Sequence, residues 1–214
     1  MVTIPAGISF NQVRFSSSLQ SGDNFQLNSL SIVTHCVNSV LFDGMQYNWT
    51  GYSSAAGTDW SGVVNYSYYS GNVYNASEYN SLGSPSPYTI NNATRIATGG
   101  IFGAGTSTPY WIFTNVSISD SVPIAISGLG DCNFQVTGII TDDYNGTAYQ
   151  CFVLNYTTSW AYYEVNTGVL IQGYFQYNDL PVQYYTINLA ATNVEYTPPT
   201  PALASISPNP NYSG

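Results

Sequence analysis

Apolar and aromatic residues in this chain recur at every second position, and no segment keeps a 3.6-residue stripe bounded by helix caps. That spacing is written for strands, whose successive side chains point to opposite faces. Runs rich in β-branched and aromatic residues cover 8–15, 25–34, 36–42, 62–69, 109–117, 132–141, 147–158, 168–177 and 182–196. In 109–117, Trp111 and Phe113 fall on one face and Tyr110, Ile112 and Val116 on the other, as in an inner strand covered on both sides. In 184–196, Tyr185, Ile187, Leu189 and Ala191 oppose Thr186, Asn188 and Thr192, as in a strand with one wet face. Asn145-Gly146 offers the positive φ angles of a two-residue type I′ turn. It predicts a hairpin over 132–158 that pairs Tyr144 with Thr147, Ile140 with Cys151 and Val136 with Asn155.

Between the runs lie Gly/Ser/Asn-rich stretches at 51–62, 70–87 and 98–109, which read as long loops of the kind that carry function or contacts. Many short strands with such loops predict an all-β fold, an antiparallel two-sheet sandwich of jelly-roll type. Five of the eleven prolines fall in 197–214, so the domain is expected to occupy 1–196 and an extended arm 197–214.

Charge excludes several functions. Charged residues are 6% of the chain; there is no lysine, and Arg14 and Arg95 face eleven carboxylates for a net charge of −9. A nucleic-acid partner needs a row of cations to displace counterions, and a membrane surface needs a basic patch; neither is present. No run of 18 apolar residues occurs to span a bilayer as a helix. Polarity comes instead from 26 Ser, 20 Thr, 21 Asn and 20 Tyr, which do not titrate in acid. In strong acid the carboxylates neutralise and the net charge changes from negative to roughly +3, too small to drive unfolding by self-repulsion. The composition suits a protein exposed to acid.

Eight Asn-x-Ser/Thr sequons, at Asn48, Asn65, Asn75, Asn92, Asn115, Asn145, Asn155 and Asn211, are about twice the number that the composition gives by chance. Glycans at these positions would solubilise a surface short of ions. The opening MVTIPAGISFNQVRF has no cationic region and no apolar run of a signal peptide, so it reads either as the start of a mature secreted chain or as a protein that leaves its cell without a leader, as a virion component released with the particle would. Three cysteines allow one disulfide; the predicted hairpin keeps Cys132 and Cys151 apart, which leaves Cys36 with Cys132 or with Cys151.

Catalytic signatures are missing. His35 is the lone histidine; beside Cys36 on a strand it would face away from it, and in acid it is protonated. There is no G-x-S-x-G elbow and no Asp-Thr-Gly loop. Glu164 and Glu195, on strand-like runs, are the carboxylates an acid hydrolase would use. Asp142, Asp143 and Asn145 resemble part of a calcium loop, but the first and last ligand positions fail, and turn roles suit them better. No cofactor or metal site is expected.

The MVTIPAGISFNQVRF opening, the lysine-free Tyr/Asn/Ser/Thr texture and the strand-only pattern resemble the vertex proteins of turreted icosahedral viruses of thermoacidophilic archaea. The resemblance implies a glycosylated jelly-roll penton-base or turret subunit, located in the virion. Its partners would be its own copies, as a homopentamer, and other coat or turret subunits. The alternative is an extracellular or cell-surface filament or adhesin subunit, with 8–15 as a donor strand. An acid-active β-sandwich hydrolase is a second alternative.

Overall fold

A computed structural model describes residues 40–83 and 86–194. The described residues hold no helix and ten strands. These are β1 (Gln46–Ser53), β2 (Thr58–Ser70), β3 (Val73–Asn80), β4 (Ser86–Asn91), β5 (Ser121–Ile126), β6 (Gly130–Tyr144), β7 (Thr147–Tyr156), β8 (Ser159–Glu164), β9 (Leu170–Asp179) and β10 (Val182–Thr192). All belong to one antiparallel sheet in the order β4-β3-β2-β1-β10-β9-β8-β7-β6-β5.

The all-β, antiparallel reading holds; the described strands are hydrogen-bonded as one sheet, in which neither a second packed sheet nor jelly-roll crossings are shown. Within 46–91 and within 121–192 the strands are joined by turns of two to five residues, so each pairs with its neighbour in sequence. The single pairing between sequence-distant strands, β1 with β10, welds the two meanders into one sheet. The segments 51–62 and 70–87, read as loops, contain the β1–β2 hairpin and all of β3. Sequence reading passed over β3 because its inward residues are Ala76 and Glu78, not an apolar series. The stretch 109–117 is buried as expected at Tyr110, Trp111 and Ile112, yet makes only a bridge, Trp111 to Val169.

The predicted turn at Asn145-Gly146 is present, with φ of 53° and 74°. Tyr144 pairs with Thr147 and Ile140 with Cys151 as expected. Val136 pairs with Leu154 and not Asn155, because a bulge between Val136 and Gly138 shifts the register by one. Beyond that bulge Ile139 and Ile140 turn to solvent.

One face of the sheet is inward. Tyr47 and Trp49 of β1, Val64 and Tyr66 of β2, Phe134 and Val136 of β6, Phe175 of β9 and Tyr185 and Ile187 of β10 are buried there. Their rings pack edge-on or offset: Trp49 stacks on Tyr110 at 5.2 Å and Phe175 on Tyr185 at 5.2 Å. The connection 92–120 enters this interior instead of running over the surface. Its backbone is pinned there by Ile112 N–H to Gly168 O (2.8 Å), Leu170 N–H to Tyr110 O (3.0 Å) and the Tyr163 hydroxyl to Pro109 O (2.8 Å). At Gly168, with φ of 70°, an added Cβ would stand 2.1 Å from the Ile112 carbonyl oxygen, so no larger residue fits.

The same connection closes the sheet. Asn91 N–H donates to Ile96 O and Thr98 N–H to Thr89 O; Ala97 N–H donates to Thr106 O and Thr108 N–H to Arg95 O; Ala125 N–H then donates to Ser107 O. A circuit of backbone hydrogen bonds thus runs from the β4 edge through 95–98 and 105–108 to the β5 edge. The result is a barrel-like wall around an aromatic interior, with β5 meeting β9 across it.

Candidate functional site

The interior holds two of the chain's few ions. Arg95 is 2% exposed. Its Nε donates to Trp111 O (2.9 Å), Nη1 to Pro123 O (2.9 Å) and Nη2 to Thr108 O (2.5 Å), and its guanidinium lies 5.6 Å from the Trp111 ring centre. Burial pushes its pKa down to about 10, against the pull of Tyr163 and Asp131. Arg95 also has φ of 65°, an uncommon conformation for a side chain with Cβ, held by this fork of three carbonyls.

Glu78, 2% exposed, accepts from the Tyr110 hydroxyl and from Ile101 N–H (3.3 Å). Burial raises its carboxyl above the ordinary range, with the hydrogen bonds from Tyr110, Ile101 and Tyr88 pulling the other way. Both groups are internal struts with no solvent access, and they were not singled out from sequence as site residues. Their signal was rarity: in a chain with 6% charge, an ion is retained where its geometry is needed.

Glu164, the described member of the hydrolase pair, is 1% exposed. Its oxygens accept from Asn166 N–H and Nδ2 and from Thr167 N–H and Oγ1, at 2.6–3.0 Å. They cap the β8–β9 turn, a structural use that occupies the lone pairs a proton donor to substrate would need. It borders a cleft of about 370 Å³ beside the β6–β7 hairpin tip, without a second carboxylate on the cleft wall. Glu195 and His35 lie outside the described residues. Asp142 pairs with Tyr149 and accepts from Gln172 Nε2, and Asp143 pairs with Ala148, so both serve the hairpin. No group of three or more His, Cys, Asp or Glu side chains able to hold a metal occurs among the described residues.

Cys132 faces β5 through Ile124, and Cys151 pairs with Ile140 and Glu164; the two are not bonded to each other. Burial, with the charges of Asp142 and Glu164, pushes the Cys151 thiol up to about 12. Cys36, the expected partner of one of them, lies outside the described residues, as do Asn211 and the arm 197–214.

The sequons divide by location. Asn65, Asn75, Asn115, Asn145 and Asn155 are exposed, and Asn48 is half-buried with its Oδ1 accepting from Gln46 Nε2 at 3.2 Å. Asn92 is 6% exposed and its Oδ1 accepts from Leu41 N–H. Asn48, Asn65 and Asn75 lie on the outward faces of β1, β2 and β3, side by side. The outward faces of β8, β9 and β10 carry none.

Those three strands carry an aromatic strip instead. Trp160 and Tyr162 stand 4.8 Å apart on β8, Trp160 is registered opposite Tyr174 of β9, and Tyr174 lies 4.7 Å from Tyr184 of β10. All four rings are partly exposed. Their outward neighbours Gln172, Gln176, Thr186 and Asn188 are uncharged; the bordering ions Asp142 and Asp179 are held by Gln172 and Gln176.

No protein-family model and no curated protein matches the chain. Among solved structures, it is similar to MucB in complex with MucA(peri), at TM-score 0.35 and 8% identity over 75% of this chain. The chain spans 54% of the length of that protein. A second is a putative outer membrane lipoprotein-sorting protein domain from Vibrio parahaemolyticus, at TM-score 0.24 and 9% identity, over 72% of this chain and 87% of that one. At these scores neither likeness carries a role over to this chain. What the fold defines is a class: an all-β, antiparallel chain with a buried aromatic core.

Proposed function

We propose that this chain is a structural, self-assembling subunit of an acid-exposed shell, in its most specific form a vertex subunit of a virion. The observation that carries the reading is the Trp160–Tyr162–Tyr174–Tyr184 strip, an aromatic face without ions on β8, β9 and β10, bordered on the same outward wall by the sequon Asn155 of β7, in register with Trp160, and by those on β1, β2 and β3. Interface cores are enriched in Tyr and Trp and depleted in charge.

Closed rings fit the geometry better than a strand-donated filament. An incoming strand needs a row of free N–H and C=O groups. On β4 the edge groups of Thr89 and Asn91 are already bonded to the connection, and Pro87 has no N–H. On β5 Ala125 is bonded to Ser107, and Pro123 has no N–H.

Electron microscopy and native mass spectrometry of the full chain at acidic pH test the reading. Rings of defined copy number are expected, with Trp160→Glu and Tyr174→Glu giving folded monomers. A parent chain that stays monomeric, or charged variants that assemble as the parent does, would overturn it.

A further inference from the structure

A second feature of the outer wall adjoins the assembly strip, with the Tyr52 ring 6.1 Å from that of Tyr184, and goes beyond the reading above. Between β10, β1 and β2 lies an open cleft of about 570 Å³, within the size range of small-ligand sites. It exists because β1 and β10 part locally. Thr50 pairs with Asn188 and Ser53 with Tyr185, but Gly51 and Tyr52 between them make no ladder pair with β10 and pair only with Trp60 and Asp59 of β2. Thr186 there finds other partners: its carbonyl accepts from the Trp60 indole N–H (3.1 Å), and its Oγ1 accepts from Tyr52 N–H (2.9 Å). Trp60 can cross to β10 only because residue 51 is glycine; a Cβ there would meet Trp60 Nε1 at 2.5 Å.

Gly51 and Trp60 line the cleft, with the Trp60 indole on the buried side of the sheet, and Tyr52 lines it as a 37% exposed ring. Thr50, Asp59, Ser61 and Asn188 complete it, and among the described residues none of their side chains is taken up by an internal hydrogen bond. One aromatic ring for the apolar face of a pyranose, one carboxylate and one amide for adjacent hydroxyls, and small hydroxyls around them form a complementary set for a neutral sugar. A phosphate or nucleotide is disfavoured, because Asp59 is the sole ion in the cleft and carries the wrong sign.

We propose that this cleft binds a neutral pyranose residue, with Tyr52 stacking on the ring and Asp59 and Asn188 receiving its hydroxyls. The sugar has two possible sources. Thr50, in the cleft, is the hydroxyl residue of the sequon Asn48-Trp49-Thr50, and Asn48 lies two positions away on the same face of β1, so the chain's own glycan is within reach. A free oligosaccharide is the other.

The test uses the full chain made in a host without Asn-linked glycosylation, probed by saturation-transfer NMR and calorimetry with diacetylchitobiose, maltose and mannobiose. Saturable binding of at least one disaccharide is expected. Tyr52→Ala and Asp59→Ala should each weaken it at least tenfold, and Tyr69→Ala, an exposed ring at the far end of β2, should leave it unchanged. Absence of saturation with all three probes, or an undiminished affinity in either cleft variant, overturns the proposal. The glycosylated chain then separates the sources. Exclusion of the probe, relieved by Asn48→Gln, assigns the cleft to the chain's own glycan; continued binding assigns it to an external sugar. Ring assembly is read separately by microscopy, so either proposal can fail while the other stands.

Discussion

Arg95 Nη1 donates to the carbonyl of Pro123 at 2.9 Å, so a guanidinium takes the place that a neighbouring strand would hold along the β5 edge. Pro123 has no N–H to leave unpaired there, and Ala125, two residues on, is bonded to Ser107. A proline and an arginine far apart in sequence together seal the seam.

Replacing Arg95 should open that seam. Arg95→Leu leaves the carbonyls of Thr108, Trp111 and Pro123 without donors, at about 1–3 kcal/mol for each buried group, so a loss of roughly 3 kcal/mol or more is expected by urea unfolding. Arg95→Lys keeps the charge but not the fork, and should lose about 2 kcal/mol. A variant as stable as the parent would show that the seam does not depend on this side chain.

Glu78 sets a pH dependence of a definite sign. Its carboxyl is raised in the folded chain, so the folded state holds the proton more tightly than the unfolded one. The stability it contributes is fully present below the unfolded carboxyl range and is lost as pH rises through the folded value. Thermal unfolding should therefore show the parent more stable in acid than near neutrality. Glu78→Gln should flatten that dependence by gaining stability at neutral pH alone.

Two buried tyrosines should respond oppositely to loss of their hydroxyls. Tyr110→Phe removes the donor to Glu78 and should cost about 1–3 kcal/mol at neutral pH. The Tyr66 hydroxyl is buried without a hydrogen-bond partner, so Tyr66→Phe should be neutral or stabilising by up to about 1 kcal/mol. Chemical denaturation of both variants alongside the parent checks the contrast.

Site occupancy among the sequons should follow burial. Asn65, Asn75, Asn115, Asn145 and Asn155 offer exposed amides, whereas Asn92 is closed in against Leu41. Glycopeptide mass spectrometry of the chain from a glycosylating host should find sugar on exposed positions and none on Asn92. Asn92→Gln should disturb folding without changing the glycan mass.

The β10 alternation of Tyr185, Ile187 and Leu189 and the Asn145-Gly146 turn were legible in the sequence because they depend on period and backbone angles, which are local. Strand β3 was not, since its inward positions hold Ala76 and Glu78, and a carboxylate reads as exposed until Tyr110, 32 residues away, is brought onto it. The turn-capping use of Glu164 was hidden for a similar reason: its donors on Asn166 and Thr167 are near in sequence, but their convergence on both oxygens is a property of the folded turn.

By itself the sequence determined that the chain is built of antiparallel strands, that its polarity resides in hydroxyls and amides, and that its hairpin turns at residue 145, because side-chain period, titration and turn chemistry belong to each residue and its neighbours. Only the tertiary structure decided that the described strands bond as one sheet, that β1 meets β10, and that the 92–120 connection closes the seam with Arg95 inside it. Those outcomes depend on which edges and buried carbonyls are left to be satisfied once every hairpin has formed, a requirement of the whole assembly of strands that no local window contains.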